Sequence, residues 1–268
     1  MPVPHWIEFS PAGADAARGL VFLHGVSGGA SGAIDILPGL AAPGWRALAW
    51  DMPGYGASAP IDPVDFDGYA DALRSLLDLA GLRQAVLVGH SMGGMVALHT
   101  AARYPGRLAG LVLACCTPAF GATDGALQQA FLARRLGPLD EGATMREVAV
   151  ELIPSMVGPG ADPQLVGDAV ALMADIAPAT YRAAMRALVG FDARAALPTL
   201  TLPALVVAGR HDRVSTPQVL RRMAARMPDA RYAELEAGHF APHEAPAEFA
   251  ALVRAFLAGL ASDHTPVI

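Results

Sequence analysis

Gly89-His90-Ser91-Met92-Gly93 stands between the apolar run Ala85–Val88 and the helical pattern Met92–Tyr104. A short apolar run closed by glycine reads as a buried strand, and the segment after it has the period of a helix. A serine flanked two residues away on each side by glycine, at a strand-to-helix junction, has a steric meaning. The glycines let strand and helix backbones pass at close range, and the turn lifts the serine hydroxyl above the sheet edge. The helix N-terminus then faces the place where negative charge would develop on a reacting group. Ser91 is therefore the candidate nucleophile.

Working outward, short apolar runs recur at Leu20–Leu23, Arg46–Trp50, Leu111–Cys115, Ala204–Ala208 and Arg231–Leu235. Amphipathic segments alternate with them at Tyr69–Ala80, Gln218–Met227 and Ala247–Leu260. The alternation predicts an α/β fold, a parallel sheet with helices on its faces and functional loops at the strands' carboxyl ends.

A serine hydroxyl needs a base, commonly a histidine held by a carboxylate. His239 follows Arg231–Leu235, and Asp212 follows Ala204–Ala208, so both fall on the same edge as Ser91. Asp51 also follows a strand, but the turn Met52-Pro53-Gly54-Tyr55-Gly56 beyond it assigns it a structural task. After Leu111–Cys115 the first acid is Asp124, too far along to serve as the acid of the set. His243 is separated from His239 by Pro242, against a helical metal pair. His211 adjoins the acid, His90 flanks the nucleophile, and His24 reads as a structural loop residue. Two backbone amides are needed to hold an oxyanion. Met92, at the helix start, is one; Val26 in His24-Gly25-Val26-Ser27-Gly28-Gly29 is the other, with Ser27 the fallback.

Residues 117–197 break the rhythm. They carry the helical patterns Leu127–Leu136, Met145–Met156, Pro163–Ala174 and Pro178–Leu188, and no strand pattern. This predicts an inserted helical cap, residues 117–197, over a core of residues 1–116 and 198–268. Within the cap Met156, Met173, Met185, Phe120, Phe131 and Phe191 are candidate pocket walls. Arg134-Arg135, or Arg182 with Arg186, could pair with a substrate carboxylate. Ser27, His90, Phe120 and Phe240 are the candidate substrate-binding residues.

Composition narrows the chemistry. All 19 basic residues are arginine, and the 268 residues contain no lysine and no asparagine. That excludes Schiff-base lysine chemistry, a Ser–Lys dyad, a Walker-type phosphate loop and a Cys–His–Asn set. The net charge of −6 argues against a nucleic-acid partner, and no apolar run is long enough for a membrane span. The adjacent Cys115 and Cys116 are a poor disulfide pair and too few for a structural zinc site. With no signal-peptide pattern at the first residues, the expectation is a reduced, cytoplasmic protein. Oligomeric state is not readable.

Five stretches carry a resemblance: Leu23-His24-Gly25, Asp51-Met52-Pro53-Gly54-Tyr55-Gly56-Ala57-Ser58, Gly89-His90-Ser91-Met92-Gly93-Gly94, Gly209-Arg210-His211-Asp212, and Gly238-His239 followed by Glu244-Ala245-Pro246. Together they resemble the α/β-hydrolase superfamily. The resemblance implies a mostly parallel, eight-stranded sheet with a variable helical lid, and Ser91 as nucleophile, His239 as base and Asp212 as orienting acid. It implies no metal and no cofactor, and a small ester or lactone substrate with water as partner. Within the superfamily the chain is similar to 3-oxoadipate enol-lactonases and related esterases, and to carbon–carbon bond hydrolases of ring-fission diketones. The latter usually carry asparagine before the nucleophile; here His90 stands there, which favours ester or lactone cleavage through an acyl-enzyme. A hydrolase-shaped binding protein or receptor with little turnover is the reading from another class.

Overall fold

The computed structural model describes residues 3–15, 17–121 and 125–262; Asp124, considered above as a rival acid, lies outside them. Seven strands form one sheet: β1 (His5–Phe9), β2 (Arg18–Leu23), β3 (Arg46–Asp51), β4 (Gln84–His90), β5 (Leu108–Ala114), β6 (Ala204–Gly209) and β7 (Ala230–Leu235). Ten α-helices connect and cover them among the described residues. The first three are α1 (Leu37–Leu40), α2 (Phe66–Leu79) and α3 (Met92–Arg103). Between β5 and β6 come α4 (Ala126–Asp140), α5 (Met145–Leu152), α6 (Pro163–Ala174) and α7 (Pro178–Val189). The last three are α8 (Pro217–Ala224), α9 (Ala241–Glu244) and α10 (Pro246–Ser262).

The sheet order is β1-β3-β2-β4-β5-β6-β7. All neighbours are parallel except β1, which pairs antiparallel with β3 from His5↔Asp51 to Phe9↔Ala47. The described residues form seven strands, where the resemblance implies eight. The described residues between β1 and β2 close two turns, Ala14 N–H to the Pro11 carbonyl and Arg18 N–H to that of Asp15. β1 itself escapes the periodicity because its residues are half exposed and mixed in polarity.

The central strands read as continuous apolar runs because both faces are buried. Val21 and Leu23 of β2 join the core under α2 and α3, whereas Leu20 and Phe22 join the one under α1 and α10. Each fully buried side chain of this size contributes about 1.5–3 kcal/mol. α2 starts where the Asp65 carboxylate accepts the Gly68 amide at 2.7 Å, and it buries Phe66, Tyr69, Leu73, Leu76 and Leu77. α5 opens with a capping box between Thr144 and Glu147. No helix among the described residues is long and apolar enough to cross a membrane.

Candidate active site

β4 ends at His90 and α3 begins at Met92, so Ser91 is the whole of the turn. Its φ of 53° and ψ of −120° lie in a region that side chains rarely adopt. The glycines are a steric requirement. A Cβ on Gly93 would sit 2.1 Å from the Leu23 carbonyl oxygen, and one on Gly89 would sit 2.5 Å from that of Gly93. The Ser91 amide is anchored on the Ala114 carbonyl at 2.9 Å, tying the turn to the end of β5.

Three loops at the carboxyl edge of the sheet meet at this turn. His239 Nε2 lies 2.9 Å from Ser91 Oγ, and His239 Nδ1 lies 2.8 Å from Asp212 Oδ2. A carboxylate only accepts, so Nδ1 carries the proton and Nε2 presents its lone pair to the serine hydroxyl. Asp212 Oδ1 accepts the amides of Val214 at 2.7 Å and Ser215 at 2.9 Å, which fixes the carboxylate in one orientation. Asp212 and His239 are both buried.

The main chain of His239 is held from two sides. Its amide donates to the Met156 carbonyl at 2.8 Å, and its carbonyl accepts from His90 Nε2 at 2.6 Å. Glu244 reinforces this loop: its carboxylate accepts the amides of Gly158 at 2.7 Å, Gly238 at 2.9 Å and Phe240 at 3.0 Å. The sequence reading missed both devices. The signal for the second was present in the Glu244-Ala245-Pro246 that follows Gly238-His239.

Three further histidines, His24, His90 and His243, are structural in geometry. His24 Nδ1 donates to the Gly25 carbonyl at 2.7 Å, and its Nε2 accepts the Met52 amide at 3.1 Å. Burial holds His24 and His243 down to about 4 and pushes His90 well below its ordinary value. All three rings are neutral at pH 7, so His90 brings no cation against His239, whose ring centroid is 5.3 Å away. Asp51 spans the turn as expected, accepting the amides of Ala30 at 2.7 Å and Ala57 at 3.2 Å.

Val26 lines the same cavity as Ser91, and Met92 follows Ser91 in the chain. Met92 is the first residue of α3, where an amide has no partner within its own helix. Among the described residues neither amide has a protein acceptor. The Val26 carbonyl is turned away by the Tyr55 hydroxyl, which donates to it at 3.1 Å.

Ser91 and His239 open into a cavity of about 980 Å³. Ser27, Phe120, Phe131, Met156 and Met185 line it as the sequence reading expected. His90 and Phe240, named with them, do not: their rings pack behind His239, where His90 serves the His239 carbonyl. Met173 and Phe191 also stand outside the lining and are buried in the core. Arg134 and Arg135 reach the cavity; Arg182 and Arg186 do not, and Arg182 is paired with Asp140. Cys115, Asp212 and His239 place donor atoms within 4.8 Å of one another. Asp212 and His239 are already bonded to each other, and burial pushes the Cys115 thiol well up, so a metal ion there would have to break that bond and remove that proton.

The sequence profile of the alpha/beta hydrolase fold matches residues 20–246. A pimeloyl-[acyl-carrier protein] methyl ester esterase of Neisseria meningitidis is 29% identical over 261 residues, 93% of this chain and 80% of that protein. A 2-hydroxy-6-oxononadienedioate/2-hydroxy-6-oxononatrienedioate hydrolase of a Pseudomonas species is 31% identical over 257 residues, 91% of this chain and 90% of its own. The crystal structure of an enol-lactonase from Burkholderia xenovorans superposes with a TM-score of 0.85 at 25% identity, covering 96% of this chain and 97% of the lactonase. The profile match runs from β2 through the loops that carry Ser91, Asp212 and His239, and the chain belongs to the α/β-hydrolase family.

Proposed function

We propose that the protein is a serine hydrolase that cleaves a carboxylic ester or lactone of a small, partly apolar substrate through an acyl-enzyme. The observation that carries this reading is the hydrogen-bonded sequence Asp212–His239–Ser91 opening into the cavity. His239 Nε2 takes the proton of Ser91 Oγ as the oxygen attacks the carbonyl carbon. The Met92 and Val26 amides receive the oxyanion, and Asp212 holds the imidazolium that forms. His239 then returns the proton to the leaving alkoxide, and a water activated by the same nitrogen clears the acyl group from Ser91. Residues 117–197 act as the lid of this site, a role supported by cavity walls drawn from that segment, such as Phe131 and Met156, as well as from the sheet edge.

Hydrolysis of p-nitrophenyl butyrate by wild type and Ser91→Ala tests the reading; equal rates in the two proteins overturn it. A second reading, cleavage of a carbon–carbon bond in a vinylogous diketone, is favoured by the 31% identical Pseudomonas relative. Faster turnover of a vinylogous 1,5-diketone than of any ester or simple lactone would decide for it.

A further inference from the structure

Six arginines line the cavity, Arg134, Arg135, Arg194, Arg213, Arg222 and Arg226, and among the described residues no aspartate or glutamate lines it. In a protein of net charge −6 this is a local reversal of sign. Arg194 is answered from outside by Asp192, with which it forms a two-pronged pair. Arg226 donates to the Arg194 carbonyl. Arg134, Arg135, Arg213 and Arg222 have no carboxylate partner among the described residues.

Arg135 stands apart from the other three. Arg134, Arg213 and Arg222 are exposed, whereas Arg135 is partly buried, and its guanidinium lies 5.4 Å from the Phe131 ring centroid. Burial and the neighbouring Arg134 both lower its hold on the proton. Beside it, Tyr181 is fully buried and lines the same cavity, and its hydroxyl has no hydrogen-bond partner among the described residues. A half-buried cation that meets an aromatic ring but no carboxylate among the described residues, and an unused phenolic donor, are costly to bury at one wall. Both costs are removed by one occupant, an oxyanion that accepts from the guanidinium fork and from the phenol together.

We infer that the substrate's acyl portion ends in an oxyanion, a carboxylate or a phosphate, and that Arg135, Tyr181 and Arg134 hold it. The inference rests on the hydrolase reading and names the substrate class for that site. Arg135 and Tyr181 are more buried than Arg213 and Arg222, and the acyl portion, which stays on Ser91 after the alcohol leaves, is assigned to their side of the lining. The exposed Arg213 and Arg222 raise the local concentration of anions at the same cavity, an effect that salt screens.

Three p-nitrophenyl esters of equal chain length make the test: the hexanoate, the adipate monoester and a hexanoate with a terminal phosphate. An anionic ester is expected to exceed the hexanoate in kcat/KM at least tenfold in low salt, with the larger excess naming the anion. In Arg135→Met that ratio should fall roughly ten- to a hundredfold, mainly through KM, and Arg135→Lys should restore part of it. A ratio near one in wild type, or an unchanged ratio in both Arg135→Met and Tyr181→Phe, overturns the inference and leaves the hydrolase reading standing. If no ester is turned over, the hydrolase reading fails, and calorimetry with adipate and with inorganic phosphate on Ser91→Ala decides the inference. Binding at least tenfold tighter than to Ser91→Ala/Arg135→Met supports it, and equal or absent binding overturns it.

Discussion

The carbonyl of Met156 accepts the His239 amide at 2.8 Å, so the segment between β5 and β6 holds the base from above. The contact is tight over several residues. A Cβ on Gly158 would lie 2.7 Å from the Gly238 amide nitrogen and 3.0 Å from the Glu244 carboxylate. Gly158→Ala should push this segment off the His239 loop. We expect kcat for p-nitrophenyl butyrate to fall about tenfold or more, because a small misplacement of a reacting group is costly. Steady-state kinetics beside a melting curve would separate this from unfolding.

Glu244 offers a second handle on the same loop. Its two carboxylate oxygens accept three amides, from Gly158, Gly238 and Phe240. Glutamine keeps one accepting oxygen and turns an NH2 toward the remaining amide. Glu244→Gln should destabilise the protein by about 1–3 kcal/mol, the cost of an orphaned buried donor and a lost charge-assisted bond. Urea unfolding measures it, and a loss below about 0.5 kcal/mol would contradict the clamp.

Asp212→Asn preserves the shape of the acid but presents an NH2 or a single oxygen to His239 Nδ1. The imidazole then settles in the other tautomer, with its proton toward Ser91. The expected loss in kcat is on the order of 10³–10⁴ with the fold intact. A drop of less than about tenfold would show that Asp212 does not orient the base.

The acid response follows from the neutral buried histidines. His24 and His243 are pushed down to about 4 from an ordinary 6.5, and His90 is held well below its ordinary value, each chiefly by burial. Between pH 6.5 and 4 the unfolded chain binds these protons and the folded chain does not, so their stabilisation is complete above 6.5 and is lost as pH falls. His24 and His243 together give a slope of about 2–3 kcal/mol per pH unit near pH 5, and His90 adds to it in the same direction. Melting temperatures should fall steeply from pH 6.5 to 4.5, and a flat profile would contradict the neutral, buried state of these rings.

Much of the site is legible in the sequence, for a physical reason. The residues around Ser91 obey hard steric limits: Gly89 and Gly93 have backbone atoms where a Cβ would stand, and that requirement is visible as letters. Strands buried on both faces are also visible, as apolar runs. What escapes is set by packing between distant segments. His90 adjoins Ser91 in sequence yet turns away to serve the His239 carbonyl, 149 residues along. Helical periodicity does not distinguish Arg135, facing the cavity, from Arg186, outside it; only the packing of α4 against α7 separates them. β1 is hidden because a half-exposed edge strand needs no apolar run.

The proposed hydrolase stands on Ser91, activated by His239, forming the covalent acyl-enzyme. The most direct measurement is intact mass followed by peptide mapping after treatment with a fluorophosphonate. One adduct per chain is expected, carried by the peptide containing Ser91, absent in Ser91→Ala and formed far more slowly in His239→Ala. An adduct elsewhere, or no adduct from a preparation that hydrolyses esters, would contradict it.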